Sequence, residues 1–114
     1  MASEGFHEPV QELKPETREM HRAIVSLMEE LEAIDWYQQR VDASADEALR
    51  LILAHNRDEE KEHAAMVLEW IRRHDPAFDA QLKKYLFTTS PITDRAVEAE
   101  PQSPGSTGGK RWTG

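Results

Sequence analysis

Two long runs of this chain repeat residues at alternating steps of four and three, and that rhythm constrains the fold more than any other feature. Leu13, Thr17, Met20, Ile24, Leu27, Leu31 and Ile34 make the first run. Leu49, Leu53, Asn56, Glu60, His63, Val67 and Trp70 make the second. Steps of three and four keep every member on one face of a helix. Sustained over about three heptads, the pattern is a coiled-coil-like seam. No Gly or Pro interrupts residues 16–47.

The punctuation places the helices. Pro15 suits a first turn, and Glu16 and Glu19 suit the positive end of the peptide dipole. The first helix is expected over residues 15–40, about 39 Å long. Residues 41–47 read as a tight connection, with Asp42 or Ser44 able to cap and Asp46 and Glu47 in the next first turn. The second helix is expected over residues 44–74, favoured at its end by Arg72, Arg73 and His74 and stopped by Pro76. So short a link makes the two helices antiparallel neighbours. Phe78, Leu82, Tyr85 and Leu86 predict a short third helix within residues 76–88. Residues 1–13 are broken by Gly5 and Pro9 and read as a flexible N-terminus. Residues 89–114 hold three prolines and four glycines with little that is apolar, the composition of a disordered tail. The chain is thus expected to be all-α, with one helical domain over residues 14–88. A lone hairpin cannot cover its own apolar seam, so a two-fold dimer giving a four-helix bundle is the expected assembly.

Composition limits the partners. With 22 Asp+Glu against 14 Lys+Arg, a net charge of −8, the chain lacks the basic surface that nucleic acid requires. No apolar run approaches a membrane span or a signal-peptide core, and a cytoplasmic setting is the default. Cysteine is absent, so any metal must be held by oxygen and imidazole.

The second seam is anomalous because its centre is polar. A carboxylate on a core-facing stripe costs several kcal/mol unless paired, about 2–7 for a neutral polar group and more for a charge. Glu60 and His63 form a Glu-x-x-His pair whose side chains can reach one ion. Across the hairpin, reflection about residue 43 places Glu30 level with residue 56, about one turn or ~6 Å from Glu60. Helical side chains lean toward their own N-terminus, which reduces that offset. Ala23, Leu27, Glu30, Ile34 and Tyr37 share the inward face. One chain therefore offers two carboxylates and an imidazole, half of the set used by di-iron carboxylate bundles, in which two helices give one Glu each and two give Glu-x-x-His. A dimer supplies four carboxylates, which balance two divalent cations. Iron, manganese or zinc all suit such donors.

Plainer readings stand beside this one. Glu-x-x-His also occurs as decoration on a solvated helix. Glu29, Glu32, Glu59 and Glu62 have the pattern of an exposed acidic face with Arg57 and Lys61 as partners, or of a funnel for ferrous ions. Trp36 and Tyr37 suit packing at a helix end. Tyr37, two turns beyond Glu30, can also hydrogen-bond a ligand or supply an electron. His55 adjoins the stripe and reads as a surface histidine or an auxiliary ligand. His7, His21 and His74 carry no spacing argument.

Three stretches carry a family resemblance: Met28-Glu29-Glu30-Leu31-Glu32-Ala33-Ile34-Asp35-Trp36-Tyr37, Asn56-Arg57-Asp58-Glu59-Glu60-Lys61-Glu62-His63-Ala64-Ala65-Met66, and Tyr85-Leu86-Phe87-Thr88. Over about residues 8–94 the chain resembles the encapsulated ferritins, ferritin-like cargo of encapsulin nanocompartments. The resemblance implies a two-helix subunit whose ferroxidase centre, with two irons per dimer, forms between chains. It implies Glu30, Glu60 and His63 as di-iron ligands with Tyr37 beside them. It further implies Glu29, Glu32 and Trp36 as a metal-uptake site, and His55, Glu59 and Glu62 as a peripheral site. It implies a ring of dimers, a decamer, packaged in the cytoplasm inside an encapsulin shell that stores the oxidised iron. Residues 104–114 depart from the usual address of such cargo, a Gly-Ser-Leu-like core with apolar flanks. They keep Gly105 and Ser106 but offer Trp112 alone as an apolar anchor, so they read as a divergent address, a truncated one or an appended remnant. The expected function is oxidation of Fe(II) to Fe(III) with O₂ for iron storage and detoxification. The alternative is a non-catalytic helical scaffold or adaptor that a metal holds together.

Overall fold

A computed structural model of the chain describes residues 5–98. Its elements are a 3₁₀ turn at Val10–Glu12 followed by helices α1 (Pro15–Ala43), α2 (Glu47–His74), α3 (Pro76–Tyr85) and α4 (Ile92–Glu98). Among the described residues there is no strand, and the architecture is that of a ferritin-like helical bundle. The chain divides into two compact units, residues 1–71 and 72–114.

The first unit is the hairpin of α1 and α2. Pro15 occupies the opening turn of α1, where a missing N–H removes nothing from the hydrogen-bond ladder. The helix continues to Ala43, three residues beyond the expected end, because nothing between Arg40 and Ala43 breaks it; Ser44 N–H closes it on the Arg40 carbonyl at 2.9 Å. Asp46 is the cap of α2: its carboxylate accepts from Leu49 N–H at 2.8 Å. Asp42 and Ser44, the expected caps, lie inside α1 and at its end. The link is therefore three residues, 44–46, and its centre is Ala45 rather than residue 43.

The inward stripe of α2 differs from the one the repeat suggested. Leu53, Glu60 and Val67 are half-buried as expected, but Leu49, His63 and Trp70 are exposed. The residues that turn inward beside them are Arg57, Ala64 and Ile71, with Ala64 8% and Ile71 1% exposed. A seven-residue spacing joins 49, 56, 63 and 70 on one flank and 57, 64 and 71 on the other, and both flanks share 53, 60 and 67. On α1, Ala23, Leu27, Glu30, Ile34 and Tyr37 are all half-buried, which agrees with the face assigned to them. A broad apolar surface stays uncovered: Ile24, Leu31, Leu49, Ile52, Met66 and Trp70 are exposed, Met66 by 63%.

The second unit carries the last turn of α2 with α3 and α4. Asp75 caps α3, accepting from Phe78 N–H at 3.0 Å, and Pro76 fills the first turn. Asp79 accepts hydrogen bonds from Arg72 and Lys83. Helix α3 stops at Tyr85, short of the expected residue 88: Phe87 adopts a positive φ of 59°, which ends a right-handed helix, and Thr88 Oγ1 donates to the Tyr85 carbonyl at 2.8 Å. Within the segment that composition marked as disordered, residues 92–98 form α4. Arg95 Nε reaches back to the Lys84 carbonyl at 3.1 Å, a cation at the negative end of α3. The candidate targeting segment, residues 104–114, lies outside the described residues.

Candidate metal centre

Glu30 on α1 and Glu60 and His63 on α2 meet across the hairpin. Each offers a donor atom, and these atoms lie within 4.8 Å of one another. The i,i+3 spacing on α2 leaves His63 Nδ1 3.6 Å from Glu60 Oε1. The gradient of exposure is useful: the Glu60 side chain is 25% exposed and that of His63 46%, so the group opens outward on the imidazole side.

Electrostatics make this group unusual for an acidic chain. Glu30 Oε1 is buried and has no hydrogen-bond partner in the protein. Burial, and then the neighbouring Glu60 carboxylate, push the Glu30 carboxyl above its ordinary value; His63 opposes the shift and Glu29 adds to it. An orphaned acceptor costs about 1–3 kcal/mol, and two carboxylates sharing a site disfavour double ionisation. A cation relieves both penalties. Two donors on opposite sides of an ion bonded at about 2.1 Å stand about 4.2 Å apart, so a spread of 4.8 Å closes with small side-chain adjustments. The donor set fits a borderline or hard divalent ion. Three protein donors leave an ion's coordination sphere open.

The other candidates do not join the three-residue group. Tyr37 is half-buried on α1, with the Arg40 guanidinium 5.4 Å from its ring centre. Trp36 is exposed and lines an open depression with Gln39, Arg40 and Ala43. Glu29 and Glu62 are exposed and Glu32 is half-buried. His55 and Glu59, one turn apart, pair at 3.7 Å between Nε2 and Oε2, an ion pair only when the imidazole is protonated. Arg57 and Lys61, expected to partner the acidic face at large, both engage Asp58, at 3.0 and 3.5 Å. Asn56 is half-buried beside the group. Arg57 is the residue whose place sequence reasoning missed. Its signal was the heptad 57, 64, 71, hidden because one member is charged and another small.

Residues 5–89 match the EncFtn-like family. The chain belongs to that family. Among EncFtn-like relatives, an encapsulated ferritin-like protein of Rhodospirillum rubrum is 60% identical over 108 residues, covering 95% of this chain and 76% of the relative. A ferritin-like protein of Thermotoga maritima is 51% identical across 98% of this chain and 92% of its own length. The encapsulin nanocompartment cargo protein EncC of Myxococcus xanthus is 40% identical across 82% and 75%. The crystal structure of protein ne0167 from Nitrosomonas europaea, 72% identical, superposes with a TM-score of 0.75 over 77% of this chain and 97% of that one. Among the described residues, no helix of this EncFtn-like chain is long and apolar enough to cross a membrane.

Proposed function

We propose that this chain is one half of a ferroxidase that oxidises Fe(II) to Fe(III) with O₂ at a di-iron centre formed between two copies. The observation that carries the reading is the group of Glu30, Glu60 and His63 donors within 4.8 Å, with an orphaned Glu30 oxygen at its inner edge. Three protein donors leave an iron ion's coordination sphere open, and the helix that carries Glu60 and His63 also carries exposed Ile52, Met66 and Trp70. A second copy laid on that apolar surface would bring a second donor set, four carboxylates and two imidazoles in all. Their charge balances two ferrous ions. Dimers of this kind associate further into a ring, a decamer.

Ferrous iron is the substrate, and each ion gives up one electron to dioxygen. The residues bias that transfer toward product. Carboxylate oxygens are hard donors and favour the more highly charged ferric ion. Glu30 serves only as a carboxylate, so protons and iron compete for it. His63 must be neutral to donate its lone pair. Tyr37, two turns along α1 from Glu30, would act on the oxidised site through its phenol. Glu29, Glu32 and Trp36 on α1 form the uptake route, their carboxylates raising the local ferrous concentration. His55, Glu59 and Glu62 form a peripheral holding site. The names of the relatives support a setting inside an encapsulin shell, where oxidised iron is stored.

Oxygen consumption on adding ferrous iron tests the reading. The parent chain is expected to consume O₂, and Glu60→Ala and His63→Ala are expected not to. A chain that binds iron without consuming O₂ would be the metal-held scaffold instead.

A further inference from the structure

We infer that Arg57 is a positioning residue for the metal group: hydrogen-bonded across the hairpin to Gln38, its guanidinium fixes the axial register that keeps Glu30 level with Glu60 and His63. The inference rests on the proposed metal centre but requires only metal binding, not turnover.

Arg57 Nη1 donates to Gln38 Oε1 at 2.8 Å, from α2 to α1. Its Nε and Nη2 donate to the two oxygens of Asp58 at 3.0 and 3.3 Å. That fork leaves the guanidinium little freedom, since its plane is set by the carboxylate. On α1, Gln38 Nε2 donates to Asp42 Oδ1 at 2.9 Å, which turns the Gln38 carbonyl toward Arg57. Asp58, Arg57, Gln38 and Asp42 thus form one chain of hydrogen bonds across two helices. The Arg57 side chain is 20% exposed and shares the inward stripe with Ala64 and Ile71.

The apolar contacts around it do not set the register as sharply. Burial of Leu, Val and Ile is non-directional, whereas a hydrogen bond is lost within a few tenths of an ångström beyond about 3.2 Å. A slip of one residue moves α1 along α2 by about 1.5 Å. Metal–donor distances tolerate about 0.2 Å. The bridge stands between the turn and the metal group, three residues from Glu60 and so about 4.5 Å along the axis. A slip that would misplace Glu30 breaks this bridge first.

A plain electrostatic role predicts the opposite sign. A cation beside the acidic block repels an incoming cation, so removing its charge alone would tighten metal binding. Removing a register clamp weakens it.

The test is a Co(II) titration of the full chain, read by visible absorption, with helix content followed by circular dichroism. Three proteins are compared: the parent, Arg57→Gln, and the exchange Gln38→Arg with Arg57→Gln, which keeps the composition and net charge and rebuilds the bridge from the other helix. Arg57→Gln is expected to bind Co(II) about tenfold more weakly, the scale of losing a supporting partner. The exchange is expected to recover most of that loss. Equal or tighter binding by Arg57→Gln overturns the inference, and so does an exchange variant no better than the single one. If Arg57→Gln loses helix, the exchange decides alone: helical but still weak in Co(II) binding, it overturns the inference. A parent that takes up no Co(II) overturns the metal centre itself and the register role with it, an outcome distinct from a parent that binds and a variant that binds equally.

Discussion

Glu30 and Glu60 stand level across the hairpin because each lies fifteen residues from its centre. The three-residue link between Ala43 and Glu47 is centred on Ala45, which is midway in sequence between Glu30 and Glu60. Reflection about residue 43 had left an offset of about one turn; the longer α1 removes it. The Asp46 cap that ends the link therefore helps to set where the site forms.

Asp46→Ala removes the acceptor of Leu49 N–H, at a cost of about 1 kcal/mol. Because it frays the start of α2, it should lower the metal-free Tm by about 4–8 °C and weaken Co(II) binding as well. An unchanged Tm by circular dichroism would remove Asp46 from any structural role.

Glu30 should trade stability for function. Glu30→Gln removes a half-buried carboxylate without changing shape, so the metal-free chain should melt about 3 °C higher, while O₂ consumption falls below detection. Calorimetry and an oxygen electrode measure the two effects on one sample. A variant that melts no higher and still consumes O₂ contradicts both parts.

Two carboxyls should give opposite pH dependences. Glu30 has a folded pKa raised above its usual 4.5, chiefly by burial. Its contribution is fully present below the unfolded value and is lost as pH rises through the folded value. Asp79 has a folded pKa lowered from 3.8 by Arg72 and Lys83, so its contribution is present above the unfolded value and is lost as pH falls through the folded one. Tm measured against pH should show Glu30→Gln flattening the slope just above pH 4.5 and Asp79→Asn flattening it below 3.8.

The uncovered apolar face should be where two copies meet. Met66→Glu puts a charge on that face and, once buried between chains, costs several kcal/mol. Native mass measurement should find the variant as monomer, and O₂ consumption should vanish with the dimer. In the parent, iron at saturation of the central centre should be one per chain.

Legibility followed physical rigidity. Pro15 and Pro76 announced the start of α1 and the end of α2, because proline acts through covalent geometry. Glu60 and His63 were readable because charge on a stripe demands a partner. The stripe was read on one flank only: Leu53, Glu60 and Val67 belong to both heptads, Asn56 is half-buried like Arg57, and His63 and Trp70 are exposed in the single chain where Ala64 and Ile71 are buried. Only packing against α1 separates them. The end of α1 was missed because residues 40–43 contain no breaker, and α4 because seven residues are too few to show a period. The proposed second half of the centre, on another chain, rests in the sequence on a deficit of donors alone.

Ala64 and Ile71 are the two buried apolar side chains among the described residues, and a fold with so small an interior would draw stability from the proposed pairing of two copies. Melting should then depend on protein concentration by mass action. A dilute chain would be both loosely folded and unable to complete a centre, whereas a crowded compartment would supply folding and oxidation together. Ferrous chemistry would be confined to the place where its product can be held, with dilution as the off state.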